Sequence, residues 1–201
     1  GLNETEANAR GMSILDANGI RLGIVSFTFG LNAHRPPPDR PWLVNWMSLN
    51  ARPTEIDFSR LEEQLEHGRQ AGVHFVIAQL HWGMEYEFYP RPEQVELAHH
   101  LAEFGVDAVI GHHPHVVQPV EYYRTRRDPD RIVPVFYSLG NLTNPFSAPY
   151  LCRSGVARID LARGTAADGG VRTYVRNATL SELNQVADTA SRTLSLQATR
   201  P

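Results

Sequence analysis

The chain has 201 residues, 42% of them hydrophobic, which is enough for one domain, or a large part of one, with a buried core. A formal net charge of -3 provides no basic field for nucleic acid or an anionic membrane, so nucleic acid is not expected as a partner. Cys152 is the single cysteine, which excludes an internal disulfide and a four-thiolate zinc site. Any metal ion must therefore be bound by histidines and carboxylates.

The first part of the chain is predicted to contain strands and a helix separated by a long loop. Residues 20–29 are rich in β-branched and aromatic side chains, which predicts a buried strand. Residues 31–53 are rich in proline and have no periodicity, so a surface excursion is expected. A helix is predicted to be capped by Asp57 and to end near Gln70, before a strand over residues 73–80.

A second helix is predicted to begin at Pro92 and to end at Gly105, followed by a strand over residues 107–111. His99 and His100 lie within this helix and are expected on its solvated face. Alternating strands and helices favour parallel strands covered by helices, with ligand sites at the carboxyl ends of the strands.

The last third of the chain is predicted to be mostly β-structure. Residues 132–139 form a buried-strand pattern, and residues 156–161 and 171–175 are typical of an antiparallel hairpin. The polar residues 177–201 are expected to form a frayed tail or a short helix.

Histidines are concentrated where the predicted strands end. Seven of the nine lie between His74 and His115. His81 follows one strand, and Gly111-His112-His113-Pro114-His115 closes the next. Because equivalent strand ends meet at one edge of a sheet, these imidazoles should share a crevice. Neutral imidazole is the commonest protein ligand for zinc, manganese or iron, so a metal site is predicted there.

Pro114 suggests which histidines of the cluster act together. It disfavours helical geometry at His113, and in an extended segment alternate residues share a face. We therefore expect His113 and His115 to point together as metal ligands. His112 should point away, as a substrate contact, a residue supporting the ligands or a core histidine.

Other polar residues near these strand ends are candidates for the same site. Glu85 could accept a hydrogen bond from a ligand imidazole, bind metal or transfer a proton. Gln118 and Glu121 follow the histidine cluster and could orient its rings. Asn141 ends another strand, where the backbone could turn closely past the site.

Taken together, these motifs resemble those of the CapA capsule-synthesis (poly-γ-glutamate) family, which is similar to the calcineurin-like metallophosphoesterases. H-W-G-x-E-Y at residues 81–86, the run at 105–121 and Y-S-L-G-N at 137–141 have the family's order and spacing. The resemblance covers roughly residues 1–160. It implies an α/β fold, here a partial four-layer α/β/β/α sandwich with a C-terminal β-hairpin.

By this resemblance, His81 corresponds to a lone histidine ligand, and His113 and His115 to the paired histidines of a G-H-x-H motif. Such sites hold a pair of divalent metal ions, with manganese, iron or zinc all compatible, and use a metal-activated hydroxide to attack phosphorus in line. We assign catalytic roles to Glu85 and His112, and a substrate contact to Asn141.

One departure from the superfamily pattern is that its early metal motifs are absent from this chain. There is no Asp-x-His, bridging Asp or Gly-Asn-His element, and Gly140-Asn141 is followed by Leu142. We therefore expect residues 1–176 to be the C-terminal part of a domain whose upstream part is missing, with an incomplete metal site. An upstream segment or self-association should then cover the open sheet edges.

The expected function is that of a metal-dependent hydrolase of the phosphoesterase type, linked to capsule or poly-γ-glutamate synthesis. One alternative is metal-dependent amide hydrolysis on a γ-glutamyl polymer, and another is non-catalytic polymer binding or assembly. The expected partners are an anionic polymer or phosphoester substrate and capsule synthase membrane proteins. The expected location is the bacterial cell envelope or its extracellular face.

Overall fold

Two β-sheets organise the chain in the computed structural model, which describes residues 1–32, 34–143, 148–166, 169–188 and 193–198. The six-stranded sheet has the order β1-β2-β3-β4-β6-β5 and consists of β1 (Ser13–Ala17), β2 (Ile20–Thr28), β3 (Phe75–His81), β4 (Ala108–His112), β5 (Val120–Arg124) and β6 (Ile132–Phe136). The three-stranded sheet consists of β7 (Arg153–Thr165), β8 (Val171–Asp188) and β9 (Thr193–Ala198).

Three α-helices accompany these sheets in the described ranges: α1 (Glu6–Arg10), α2 (Ser59–Gln70) and α3 (Pro92–Phe104). Short 3-10 turns lie at Pro41–Leu43, Pro53–Glu55 and Pro149–Leu151. Within the part of the chain that the structure describes, none of these helices has the length and apolar character needed to span a membrane.

Parallel strands form the centre of the larger sheet, as the alternation of strands and helices predicts. β2, β3, β4 and β6 are parallel, while β1 and β5 pair antiparallel with β2 and β6. α2 connects β2 to β3, and α3 connects β3 to β4. The register places Thr28, His81 and His112 side by side where the three strands end. The chain is therefore a mixed α/β protein whose strand ends meet at one edge.

One face of the six-stranded sheet carries the core. Its strand residues and the inner faces of α2 and α3 are buried together, and the set includes Val25, Phe27, Ala78, Leu80, Val109, Leu61, Leu65, Leu97 and Leu101. On the opposite face Ile24, Ile77 and Ile110 are only half-buried, and Gln79 is exposed. The smaller sheet reaches the β5–β6 side through β8, where the Tyr122 hydroxyl donates to the Ala178 carbonyl at 2.7 Å.

The predicted central elements are confirmed, while three marginal ones before the C-terminal sheet were not predicted. Strands expected over 20–29, 73–80, 107–111 and 132–139 correspond to β2, β3, β4 and β6, and α3 begins at Pro92 as expected. The helix expected after Asp57 begins at Ser59, and the Asp57 carboxylate accepts hydrogen bonds from the Ser59 amide and hydroxyl. The elements that were not predicted are short or lie at sheet edges: α1, β1 and β5.

The C-terminal residues differ from the expected tail. The predicted hairpin is confirmed but is longer, with Arg153 opposite Asn184 and Thr165 opposite Val171. β8 runs across residue 177 as far as Asp188 and pairs antiparallel with β9. A frayed tail or short helix is therefore wrong for the residues of β8 and β9, because cross-strand pairing orders a segment whose composition alone is polar. The division of the chain at residue 177 stays a prediction.

Candidate functional site

The site begins with a close approach between two parallel strands and the segment that follows β6. A Cβ atom on Gly111 would lie 1.9 Å from the Tyr137 carbonyl oxygen and 2.4 Å from Trp82 Nε1. The Trp82 indole donates to that same carbonyl at 3.0 Å, and Trp82 is fully buried. Only glycine lets β4 pass this contact, which fixes where His112 and the residues after it leave the sheet.

The structure brings together the three histidines expected to bind metal. The His81 and His113 ring centroids are 4.5 Å apart, and those of His113 and His115 are 6.1 Å apart. Phe29 packs against two of these rings, with its ring centroid 5.7 Å from that of His81 and 4.7 Å from that of His113. These aromatic contacts restrict the rotation of the His113 ring.

The reason given for the joint orientation of His113 and His115 is wrong. Neither residue is extended: φ is 106° at His113 and 62° at His115, both in the left-handed half of the backbone map. A bend over residues 113–116, and not strand alternation, brings both rings to the same side. Non-glycine residues adopt such φ values at a cost, which surrounding contacts must offset.

Glu85 joins two of these histidines in a group with the spacing of a metal site. One potential ligand atom from each of Glu85, His113 and His115 lies within 4.8 Å of the others, and no other such group of three occurs among the residues described. His115 Nε2 is 3.9 Å from Glu85 Oε1, and 34% and 51% of the two side chains are exposed. The group is accessible to solvent and therefore to a substrate.

The donor set fits a divalent metal ion. Two imidazoles and one carboxylate are ligands that zinc, manganese and iron all accept, and three protein ligands leave a coordination position open. His81 contacts the His113 ring but lies outside the three-residue group. The expected pair of ions, with His81 as a ligand, stays a prediction.

The loop that carries Glu85 is fastened to the loop that carries the histidines. The Tyr86 amide donates to the Pro114 carbonyl at 2.8 Å, and the Tyr86 ring stacks on His115 with centroids 6.0 Å apart. Gln118, which is buried, donates through Nε2 to the Glu87 carbonyl at 2.8 Å. The expectation that Gln118 orients a histidine ring is thus replaced by a contact with the neighbouring loop.

Two polar side chains contact ring nitrogens of the site. Thr28 Oγ1 is 3.1 Å from His81 Nδ1, and Asn141 Oδ1 is 2.6 Å from His115 Nδ1. Asn141 was expected near the site, and there its side chain contacts His115; a substrate contact stays a prediction. Thr28 was missed, although the strand register aligned it with His81.

Glu121 and His99 belong to a separate network behind the site. The Tyr137 hydroxyl donates to Glu121 Oε2 at 2.6 Å, and His99 Nε2 lies 2.7 Å from Glu121 Oε1. His99 also stacks on Tyr123 with centroids 4.1 Å apart. The solvated-face prediction is therefore wrong for His99, and Glu121 contacts none of the clustered rings directly. Burial, followed by the hydrogen bond to Glu121, raises the pKa of Tyr137.

Partial burial favours the neutral form of His81, His112 and His113. It is the main cause that lowers the pKa of His81, His112 and His113. Positive charge on His115 would lower the pKa of His81 further, whereas Glu85 opposes this. His112, half-buried at the end of β4, feels His81 in the same way. Neutral imidazole is the form that binds a metal ion or accepts a proton.

These shifts predict a loss of stability on mild acidification. Because the folded-state pKa values of His81, His112 and His113 lie below the ordinary value of 6.5, the unfolded chain binds more protons just below that pH. Their contribution is fully present above about pH 6.5 and is lost as the pH falls through the folded-state values. We expect the free energy of unfolding, measured by urea denaturation with a chelator present, to fall between about pH 7.5 and pH 5.5.

The replacement His112→Gln separates this effect from general acid sensitivity. It removes one half-buried titrating ring, so the slope of unfolding free energy against pH should become smaller over the same interval. An unchanged slope in this variant would contradict the role given to the His112 imidazole.

Comparison with known proteins matches residues 1–145 to the family described as bacterial capsule synthesis protein PGA_cap. The PGA biosynthesis protein CapA of Bacillus subtilis (strain 168) is 42% identical over 87 residues, which are 43% of this chain and 20% of that protein. The capsule biosynthesis protein CapA of Bacillus anthracis is 28% identical over 145 residues, 70% of this chain and 31% of that protein.

A probable polyglutamine synthesis accessory protein of Mycobacterium tuberculosis (strain CDC 1551 / Oshkosh) is 31% identical over 70 residues, 35% of this chain and 17% of that protein. The chain thus spans between 17% and 31% of the length of these three relatives. The family match extends over most of the chain and includes every histidine of the site. The chain therefore belongs to the bacterial capsule synthesis protein PGA_cap family.

Proposed function

We propose that this chain forms part of a metal-dependent hydrolase of the phosphoesterase type that acts in capsule or poly-γ-glutamate synthesis. The observation that carries the proposal is the group formed by Glu85, His113 and His115 at the carboxyl edge of a parallel sheet. The named relatives are described as a PGA biosynthesis protein, a capsule biosynthesis protein and a probable polyglutamine synthesis accessory protein, which supports the capsule role. The hydrolytic activity is inferred from the chemistry of the site.

His113, His115 and Glu85 would hold the metal ion, and manganese, iron or zinc suits these nitrogen and oxygen donors. When bound, such an ion polarises a substrate oxygen and lowers the pKa of coordinated water. His81, whose ring contacts both Phe29 and His113, would serve a second ion together with ligands from outside this chain.

The protein groups around the ion have separate tasks in this proposal. Glu85 is exposed enough to reach an incoming substrate and can exchange a proton with it as well as bind metal. His112, whose neutral form is favoured by partial burial, would be the proton acceptor on the neighbouring strand end. Tyr86 and Phe29 pack on His115 and His113, which keeps the ligand rings oriented while substrate binds.

The half-covered sheet supports the four-layer sandwich that the family resemblance implies. Parallel strands occur almost only in sheets whose two faces are both covered. Here Ile24, Ile77 and Ile110 lie half-buried on the face opposite the helices. We propose that a second layer, from an upstream segment of the same protein or from a second copy, covers them and completes the metal site.

The expected surroundings of the protein follow from the same proposal. Its substrate would be an anionic polymer or a phosphoester, held locally because the chain has a net charge of -3. Capsule synthase membrane proteins would be its partners, and the bacterial cell envelope or its extracellular face its location.

A second candidate reaction is hydrolysis of an amide. The names of relatives refer to PGA and polyglutamine synthesis. The substrate of this second reaction would be a polymer linked by γ-glutamyl bonds. The same ligand set can assist attack at a carbonyl carbon as readily as at phosphorus.

Hydrolysis assays on the full-length protein, with its metal content measured alongside, separate these possibilities. We expect stoichiometric divalent metal and turnover of a phosphodiester or phosphomonoester. Turnover of poly-γ-glutamate alone would favour the amide reaction. A folded protein that binds no metal and turns over none of the three would overturn the hydrolase proposal and leave polymer binding or assembly.

A further inference from the structure

We infer that Thr28 and Asn141 are positioning residues, which hold His81 and His115 in the tautomer that carries its hydrogen on Nδ1. Nε2 of each ring is then the nitrogen offered to a metal ion. The tautomers follow from hydrogen bonds within the chain, whereas their use in metal binding rests on the proposed function.

Thr28 fixes the tautomer of His81 because the single hydrogen of the Thr28 hydroxyl is already donated to the Gly30 carbonyl. Thr28 Oγ1 lies 2.7 Å from the Gly30 carbonyl oxygen, and only the hydroxyl can donate in that pair. At the 3.1 Å contact with His81 Nδ1, the hydroxyl must therefore accept. The hydrogen of the neutral His81 ring is on Nδ1, and Nε2 carries the lone pair.

Asn141 fixes His115 by the same reasoning. Its Nδ2 lies 3.0 Å from the His115 carbonyl oxygen and 3.3 Å from the Leu151 carbonyl oxygen, and both are acceptors. These contacts set the orientation of the amide, so Oδ1 is the atom 2.6 Å from His115 Nδ1. An amide oxygen only accepts hydrogen bonds, so His115 carries its hydrogen on Nδ1.

The position of Asn141 is itself set by the smaller sheet. Ser154 Oγ and Gln185 Nε2 both donate to the Asn141 carbonyl oxygen, the latter at 2.6 Å, and both side chains are buried. Gly140 has φ of 68°, and a Cβ atom there would lie 2.8 Å from the Arg153 carbonyl oxygen. The C-terminal sheet therefore orients a ring of the site through Asn141, although it contributes no member of the three-residue group.

The tautomers can be measured without any metal or substrate. Nitrogen-15 NMR of the imidazole rings in the metal-free protein, above the histidine pKa, should show Nδ1 protonated and Nε2 unprotonated for both His81 and His115. Nε2 protonation of either ring in the unaltered protein would overturn the inference for that ring, whatever the metal affinity.

Variants at Thr28 test whether positioning matters for metal binding. Thr28→Val keeps the side-chain shape but removes the acceptor, so we expect mixed tautomers at His81 and binding of Mn²⁺ weaker by about 10- to 100-fold in calorimetric titration. Thr28→Ser keeps the hydroxyl and should restore both properties. Unchanged tautomer and affinity in Thr28→Val would overturn the role of Thr28.

Asn141→Leu and Asn141→Asp form the matched pair for His115. The leucine variant removes the acceptor and should release the His115 tautomer, whereas aspartate retains an acceptor oxygen and should preserve it. If the leucine variant keeps the tautomer, the role of Asn141 is overturned. Failure of the unaltered protein to bind Mn²⁺ would count against the proposed function, while the NMR result would still decide the tautomers.

Discussion

Replacing His113 and His115 together by alanine is expected to abolish specific binding of a divalent metal ion. The two imidazoles supply two of the three donor groups that lie within 4.8 Å of one another. Glu85 would remain as a single carboxylate, half exposed to solvent, and such a group does not hold an ion on its own. We expect the affinity for Mn²⁺ or Zn²⁺ to fall by more than about 100-fold, beyond the loss that follows removal of a supporting contact.

A matched control removes two imidazoles that lie elsewhere. His34→Ala combined with His100→Ala leaves His81, His113 and His115 untouched, since His34 is exposed and His100, within α3, stacks on Phe58. Elemental analysis after gel filtration should find metal in the control and none in the His113/His115 variant. Metal retained at full stoichiometry in both proteins would place the binding site elsewhere.

Gly111→Ala is expected to destabilise the fold by about 3 kcal/mol or more, or to prevent folding. The added Cβ atom would lie 1.9 Å from the Tyr137 carbonyl oxygen and 2.4 Å from Trp82 Nε1. Neither can move aside cheaply, because they are hydrogen-bonded to each other and both residues are buried. Denaturant unfolding, or recovery of soluble protein where unfolding cannot be followed, measures the effect.

Gly164→Ala provides the comparison within the same chain. Gly164 lies in β7, and a Cβ atom there would have nothing within 4 Å. We expect this change to alter the unfolding free energy by no more than about 0.5 kcal/mol. A similar loss at both positions would mean that backbone freedom, and not the contact with Tyr137 and Trp82, determines the cost at Gly111.

The central elements of the fold were predictable because their hydrophobic pattern agrees with the residues that mark their ends. β2, β3 and β4 are apolar and buried on one side, and α3 begins at Pro92 and ends before Gly105, where φ is 127°. β9 shows where this fails. All six of its residues are exposed, including Leu194 at 42% and Leu196 at 40%, so its strand character comes from pairing with β8 and not from a buried face.

For the site, residue types and strand ends were sufficient to find the histidines but not their geometry. His81, His113 and His115 were identified from placement alone, and the structure brings their rings together. The positive φ values at His113 and His115 could not be predicted, because they depend on contacts made after folding. The contacts of Thr28 with His81 and of Asn141 with His115 could not be predicted for the same reason, because each contact joins residues far apart in the chain.

The hydrogen bonds between the two ligand-bearing loops have a consequence for motion. Two hydrogen bonds join the segment of Glu85 to the segment of His115. The Tyr86 amide donates to the Pro114 carbonyl, and the Gln118 side chain donates to the Glu87 carbonyl. Displacing one segment alone would leave the buried Gln118 amide without this acceptor, so the two should shift as one unit. The opening that exposes the Tyr86 amide would also separate Glu85 from His115. Hydrogen exchange at this amide would therefore report on opening of the three-residue group of Glu85, His113 and His115.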